Sequence, residues 1–210
     1  MFGHVFWPYT IIALTVFGIV VLVLAFALIR YRAGRGHEAS AKSKHSVLEA
    51  VYALVLVGIA SFLAVYVASA NAAERRPLGR PQVSVTITGF QWCWSFTYHH
   101  TPVTVSGTCK NASQIPVLVV PTHEIIHFSL ISADVVHEWW LPYARWKEEA
   151  FPGHYNTFDL RFTKTGEFNG RCDEYCGLYH DRMDFKLKAV TPAAFTSWLT
   201  AQTRRAASRP

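Results

Sequence analysis

Val83-Ser-Val-Thr-Ile-Thr-Gly-Phe90, followed at once by Trp92-Cys-Trp-Ser-Phe-Thr-Tyr98, alternates side-chain character and is rich in β-branched and aromatic residues. A period of two puts alternate side chains on opposite faces of a pleated strand and does not fit the 3.6-residue period of a helix. Ile115 to Val120, Glu124 to Ile131 and Asn156 to Phe162 have the same texture, and Lys186 to Val190 closes the series. Short strands separated by Gly, Pro, Asn and Thr at fairly regular intervals predict an antiparallel sandwich or barrel over residues 81–203. Thr191-Pro192 then opens a short C-terminal helix, threonine as its cap and proline in the first helical position. Phe195, Trp198 and Leu199 form the side that packs back on the domain. Residues 204–210 read as a flexible, frayed tail, and no internal repeat is visible.

Upstream the chain is of another kind. Tyr9 to Ile29 is an uncharged run of 21 residues, and Ala50 to Ala73 another of 24. Either would cross a hydrocarbon core of about 30 Å as a helix. Neither has a polar face, and the remaining chain is too short to bury both, so a buried-helix reading fits poorly. Residues 1–76 are therefore predicted to form a two-helix transmembrane hairpin, with spans at about 9–29 and 50–73. Arg30, Arg32, Arg35, Lys42 and Lys44 lie beside the connecting loop against one acid, Glu38. This bias puts the loop in the cytoplasm and both termini, with the 81–203 domain, on the outer or periplasmic side of the cell inner membrane. Arg75, Arg76 and Arg80 are a smaller opposing bias. No basic residue precedes Tyr9, so the first span does not read as a cleavable signal; Ser69-Ala-Asn-Ala-Ala73 resembles a cleavage site, but a second span is the simpler account.

The formal net charge of +6 divides into +5 for residues 1–80 and +1 for the rest. The basic character thus belongs to the membrane flanks. No basic stripe interleaved with aromatics occurs, which argues against a nucleic-acid partner.

Cys172-Asp-Glu-Tyr-Cys176-Gly-Leu-Tyr-His180-Asp-Arg-Met183 gathers two thiols, an imidazole and a thioether in twelve residues, and Met183 is the one methionine besides Met1. Four readings fit part of this. A Cys172–Cys176 disulfide suits an oxidising compartment but leaves His180 and Met183 unexplained. Zinc has no use for a thioether. A thioredoxin-like copper chaperone also uses a CxxxC pair with a distant histidine, but places its cysteines early in an α/β domain. An electron-transfer copper site on a β-sandwich uses every donor, with thiolate and imidazole binding the metal and a weak thioether tuning it. Two cysteines rather than one suggest two metal ions bridged by paired thiolates. A second histidine is needed; His137, in Ser132-Ala-Asp-Val-Val-His137-Glu-Trp-Trp where a strand gives way to a loop, is the candidate. His99, His100, His123, His127 and His154 read as surface or core histidines.

Ser-x-Asp-x-x-His137-x-Trp, the Pro152-Gly153 turn, the cysteine loop and the aromatic signature Gln91-Trp-Cys-Trp-Ser95 together resemble subunit II of cytochrome c oxidase. The resemblance spans nearly the whole chain. It implies a membrane-anchored α+β protein whose exterior part is an all-β cupredoxin-like sandwich carrying a binuclear copper A centre. Cys172 and Cys176 would bridge two copper ions, His137 and His180 would each bind one, and Met183 and the carbonyl of Glu174 would be the weak ligands. The Glu174 carboxylate would help hold a magnesium ion shared with subunit I. Trp92 matches the family's exposed tryptophan through which electrons arrive from the donor, and Glu49 a carboxylate near the mouth of a proton pathway.

The function implied is acceptance of electrons from a c-type cytochrome and their transfer to haem in subunit I, where oxygen is reduced to water with proton translocation. Subunit I, subunit III and the lipid membrane are the implied partners. The runner-up is the electron-accepting subunit of a copper-A-type nitric oxide reductase; a purely structural subunit, as in quinol oxidases, would not need the ligand set. Two departures stand out. Ser95 to Lys110 lacks the acids usual in members that dock soluble cytochrome c. Asp134, Glu138, Glu148, Glu149, Asp173, Asp181 and Asp184 nevertheless lie near the copper loops in sequence and could attract a basic donor. Cys93 stands where tyrosine is common, and a cross-strand disulfide with Cys109 is the less favoured state of that pair.

Overall fold

Val85 and Ile87 are fully buried while Ser84, Thr86 and Thr88 are not, so the sequence alternation is that of a strand's two faces. This is β1 (Val83–Phe90). It turns through Gln91 and Trp92 into β2 (Cys93–Tyr98), with Phe90 opposite Cys93 in the ladder. The structure, a computed structural model, describes residues 2–32, 44–110 and 112–208, without the side chains of 2–5 and 112. Arg35, Glu38 and Lys42 of the charge argument, and residues 209–210, lie outside the described residues.

The chain divides into two units, residues 1–76 and 77–210. The first holds α1 (Phe2–Arg30) and α2 (Ser46–Glu74), both long and apolar enough to cross a membrane. No described α2 side chain is buried, and Leu22 and Leu28 of α1 are more than 70% exposed. So much bare apolar surface is stable in lipid and not in water. The Tyr9 hydroxyl donates to the Leu63 carbonyl at 3.2 Å.

In the second unit the remaining strands are β3 (Thr104–Ser106), β4 (Val117–Pro121), β5 (Ile126–Ser132), β6 (His137–Leu141), β7 (Trp146–Ala150), β8 (Asn156–Leu160), β9 (Gly166–Cys172) and β10 (Asp184–Val190). They form two five-stranded sheets, ordered β3-β2-β1-β5-β8 and β4-β10-β9-β6-β7. The sequence predicts antiparallel pairing, but β1 runs parallel to β5 and β4 parallel to β10. The chain leaves the first sheet between β3 and β4 and returns at β5, and such a crossover brings a strand back in the same direction.

Aromatics fill the space between the sheets. The Trp139 ring stacks on Phe185 at 5.0 Å, Phe128 lies 5.2 Å from Phe158, and Trp94 meets Phe185 edge-on at 5.9 Å. Fully burying one such side chain contributes about 1.5–3 kcal/mol, so this cluster dominates the core. Strands β3, β6, β7 and β9 were not legible. In β7 the residues Lys147, Glu148 and Glu149 break the alternation. In β9 an inward position is Gly170, where a Cβ would fall 2.0 Å from the Phe185 ring.

The last helix, α3 (Pro192–Ala207), begins as the sequence indicates, with the Thr191 hydroxyl accepting from the Ala194 N–H at 3.3 Å. Phe195 is buried, and Trp198 packs 5.2 Å from Tyr98. The helix continues through Arg204 to Ala207, so those residues are helical and not a frayed tail. Cys93 and Cys109 form a disulfide, against the sequence expectation. The loop after β3 carries Cys109 back to the start of β2, a proximity that sequence separation does not reveal.

Candidate metal centre

Cys172 ends β9, and the next eleven residues make the connection to β10. Because β9 and β10 are antiparallel neighbours, the loop returns to its starting edge, where the Cys172 N–H donates to the Met183 carbonyl at 3.0 Å. The return needs two tight features. One is Gly177 at φ +116, a conformation that side-chain-bearing residues rarely adopt. The other is a single 3-10 turn, His180–Arg182. On the other flank of β9, β6 supplies His137 as its first residue. The sequence reading had a strand ending there; in fact a loop ends and a strand begins, which fixes the ring by burial on the sheet.

These pieces bring the donors together. The Sγ atoms of Cys172 and Cys176 are 3.9 Å apart, and both thiols are free and buried. His137 Nδ1 lies 3.9 Å from Cys172 Sγ, and His180 Nδ1 3.6 Å from Cys176 Sγ. The thioether of the fully buried Met183 stands 3.7 Å from Cys176 Sγ. The Glu174 carbonyl oxygen is 3.3 Å from Cys172 Sγ, while its exposed carboxylate accepts from the Tyr175 N–H. Among the described residues, His137, Cys172 and Cys176 are the group of ligating side chains whose donor atoms all fall within 4.8 Å.

The surroundings decide the state of each donor. Asp134 Oδ1 lies 2.8 Å from His137 Nε2, so that nitrogen donates outward and Nδ1 is left for a metal. Burial pushes Asp134 up, but its bonds with His137 and with the N–H groups of Gln91 and Val135 prevail and hold it below the usual carboxylate range. Burial lowers His137, against the pull of Asp134, which keeps the imidazole neutral as a ligand must be. Burial raises both thiols, and the neighbouring Cys172 adds to the effect on Cys176, which is pushed up to about 12. Without a cation between them the pair stays protonated.

The Gln91-to-Ser95 signature carries the resemblance, and the structure adds what its side chains hold. Gln91 Nε2 and Trp92 Nε1 both donate to the Cys176 carbonyl, at 2.8 and 3.1 Å, and the peptide joining them is cis. Trp94 Nε1 donates to the Met183 carbonyl at 3.2 Å, and its ring packs 6.0 Å from His137. Gly89 leaves room for that imidazole, since a Cβ there would meet His137 at 3.0 Å. Gly89 and the Asp134 partnership were not singled out, although an acid three residues before a ligand histidine is a sequence signal for the latter.

Trp92 is half-buried, its ring edge-on to the exposed Tyr179 at 4.9 Å, and so links the surface to the cysteine loop. Glu49 lies in the first turn of α2, where its carboxylate accepts from the His45 N–H at 3.2 Å; helix capping accounts for that contact. Of the acids near the loops, Glu138 and Glu148 are buried, and Lys147 bridges Glu138 and Asp173 at 3.0 and 3.2 Å. The field offered to a basic donor is therefore weaker than the acid count suggests. Exposed Tyr175, Leu178 and Tyr179 make the rim largely apolar.

Two β-sheets with soft donors gathered at one end, on a chain that also carries two membrane-length helices, define a membrane-anchored cupredoxin-like protein. This fold is not thioredoxin-like. The family model for "Cytochrome C oxidase subunit II, periplasmic domain" matches residues 83–190. The chain belongs to the cytochrome c oxidase subunit II family. It is 27% identical over 257 residues to a probable cytochrome c oxidase subunit 2 of Nocardia farcinica, covering 92% of this chain and 68% of that one. Against cytochrome c oxidase subunit 2 of Mycobacterium bovis the identity is 40% over 98 residues, 44% of this chain and 27% of that one. The crystal structure of the periplasmic domain of subunit II of the Bradyrhizobium japonicum oxidase aligns with a TM-score of 0.55 and 27% identity. That alignment covers 61% of this chain and 99% of that one. The chain spans 68%, 59% and 59% of the length of three curated relatives from Nocardia and Streptomyces.

Proposed function

We propose that this chain is the electron-accepting subunit of a haem–copper terminal oxidase, with Cys172, Cys176, His137, His180, Met183 and the Glu174 carbonyl holding two copper ions. A copper pair held there would supply one-electron chemistry, so that the chain would accept electrons from a c-type cytochrome and pass them to haem in subunit I, for reduction of oxygen to water coupled to proton translocation. The observation that carries the reading is the pair of buried thiols 3.9 Å apart, with one imidazole Nδ1 beside each and the thioether beside Cys176.

The chain's own residues give that site its properties. Soft and borderline donors select copper over hard cations. His137 on β6, Cys172 on β9 and a ligand loop tied at both ends by the β9–β10 ladder keep the ligands in place, and a site that rearranges little suits fast electron transfer. Asp134 orients His137. Trp92 joins the rim to the Cys176 carbonyl by one hydrogen bond, which supports its role in receiving electrons. The apolar rim favours a donor that docks by shape and burial, with charge serving mainly to speed encounter.

The remaining roles belong to the same proposal. The Glu174 carboxylate, exposed beside the site, is available to a magnesium ion shared with subunit I. Glu49 would serve a proton pathway only in addition to its capping contact. Subunits I and III would surround the α1–α2 hairpin in the cell inner membrane, with both termini outside. The test is metal analysis and electron paramagnetic resonance on the full chain in detergent. Two coppers sharing one unpaired electron are expected; zinc, or one mononuclear copper, refutes the centre. Oxygen against nitric oxide consumption by the co-purified complex separates the two oxidoreductase classes.

A further inference from the structure

The Cys93–Cys109 disulfide contributes no ligand, yet both of its ends touch the segments that hold the ligands. Cys93 is fully buried and stands between Trp92 and Trp94. Each of those indoles holds a carbonyl of the ligand loop, Trp92 that of Cys176 and Trp94 that of Met183. The Cys109 sulfur, at the other end, lies 3.4 Å from the carbonyl oxygen of Asp184, the residue after Met183. The bridge therefore spans from the tryptophan hairpin to the start of β10.

Cys109 lies on the connection between β3 of one sheet and β4 of the other. On that connection the Gly107 N–H donates to the Trp94 carbonyl at 3.2 Å, the N–H groups of Thr108 and Cys109 to the Gln114 carbonyl at 3.3 and 3.4 Å, and the Thr108 hydroxyl to Gln114 Oε1 at 2.5 Å. The segment presses on the bridge, for a Cβ on Gly107 would lie 2.8 Å from the Cys93 sulfur. Cys109 itself has φ 51, a left-handed conformation that a non-glycine residue keeps only when its surroundings hold it.

We infer that this disulfide is a positioning device for the copper centre: it clamps the Trp92–Trp94 hairpin against β10 and so fixes the Cys176 and Met183 carbonyls relative to each other. The inference rests on the copper reading above. A bridge that served stability alone would leave the spectroscopy and kinetics of the centre untouched when removed.

The experiment uses the full chain in its oxidase complex, comparing the parent with the Cys93→Ala/Cys109→Ala double variant well below either unfolding temperature. The variant is expected to retain two coppers, to show a broadened, heterogeneous paramagnetic signal, and to accept electrons from reduced cytochrome c about tenfold more slowly, because orientation has been lost. An unchanged signal with uptake within twofold, whatever the fall in melting temperature, overturns the inference. If the double variant does not fold, the Cys93→Val/Cys109→Ala variant, whose valine fills the buried Cys93 position, takes its place. The same outcomes then apply. Absence of a two-copper signal in the parent is a separate result, and it overturns the copper reading together with this inference.

Discussion

Replacing Asp134 by alanine removes the contact that fixes the outward nitrogen of His137. Three donors lose their acceptor: His137 Nε2–H at 2.8 Å, the Gln91 N–H at 2.6 Å and the Val135 N–H at 2.7 Å. The His137 ring is fully buried, whereas the Asp134 side chain is 31% exposed, so water can replace part of what is lost. Removing the hydrogen-bond partner of a metal-bound histidine costs about 10–100-fold in affinity. With water able to enter, the lower end applies, about tenfold or about 1.4 kcal/mol. Asp134→Asn is the more searching change. Its carbonyl can still accept from His137 and Val135 through the Oδ1 position, while its amide must face the Gln91 N–H and loses that bond. Copper affinity should then fall by less than about threefold, while electron uptake through the neighbouring Trp92 slows. The assay is competitive copper titration against a chelator on the full chain, paired with stopped-flow reduction. Copper binding by Asp134→Ala within twofold of the parent would falsify the claim that this carboxylate orients the ligand.

Trp92→Phe removes the indole N–H that meets the Cys176 carbonyl but keeps an aromatic ring; copper content should be unchanged while electron uptake drops at least tenfold, and equal uptake would exclude Trp92 from the path. Tyr98→Phe should destabilise the protein by about 1–3 kcal/mol with the metal site intact. The buried hydroxyl both donates to the Val119 carbonyl and accepts from its N–H, at 2.8 and 2.9 Å, and denaturant melts will show whether that double bond matters. Because burial raises both thiols, metal loading at neutral pH must displace about two protons, so apparent copper affinity should rise about a hundredfold per pH unit until the thiols begin to ionise. A pH-stat measurement that finds fewer than one proton released would contradict the protonated, metal-free pair. In the metal-free chain the same raised pKa values give stability that is full below the ordinary thiol range and is lost as pH climbs from there through the raised values.

The loop from Cys172 to Met183 was legible because its donors are close in sequence: any turn joining two antiparallel strands must bring them near one another. The membrane hairpin was legible because length and lack of charge suffice to specify a span. The strands β1, β2 and β5 announced themselves by alternation. The strands β7 and β9 did not, since charge on one and glycine on the other hid the inward face. Glycine in β9 answers to a ring on another strand, the Phe185 side chain that fills the place of a Cβ at Gly170.

Local order along the chain thus determined the membrane anchor, the β texture of the exterior domain and four of the side-chain donors. The packing of two sheets decided the rest: that His137 of β6 stands beside Cys172, which indoles support the loop's carbonyls, and that Cys93 meets Cys109. Those contacts join residues from 16 to 89 positions apart. Chain spacing constrains such pairs hardly at all, because the ladder registers that align them are set by burial of the whole aromatic core.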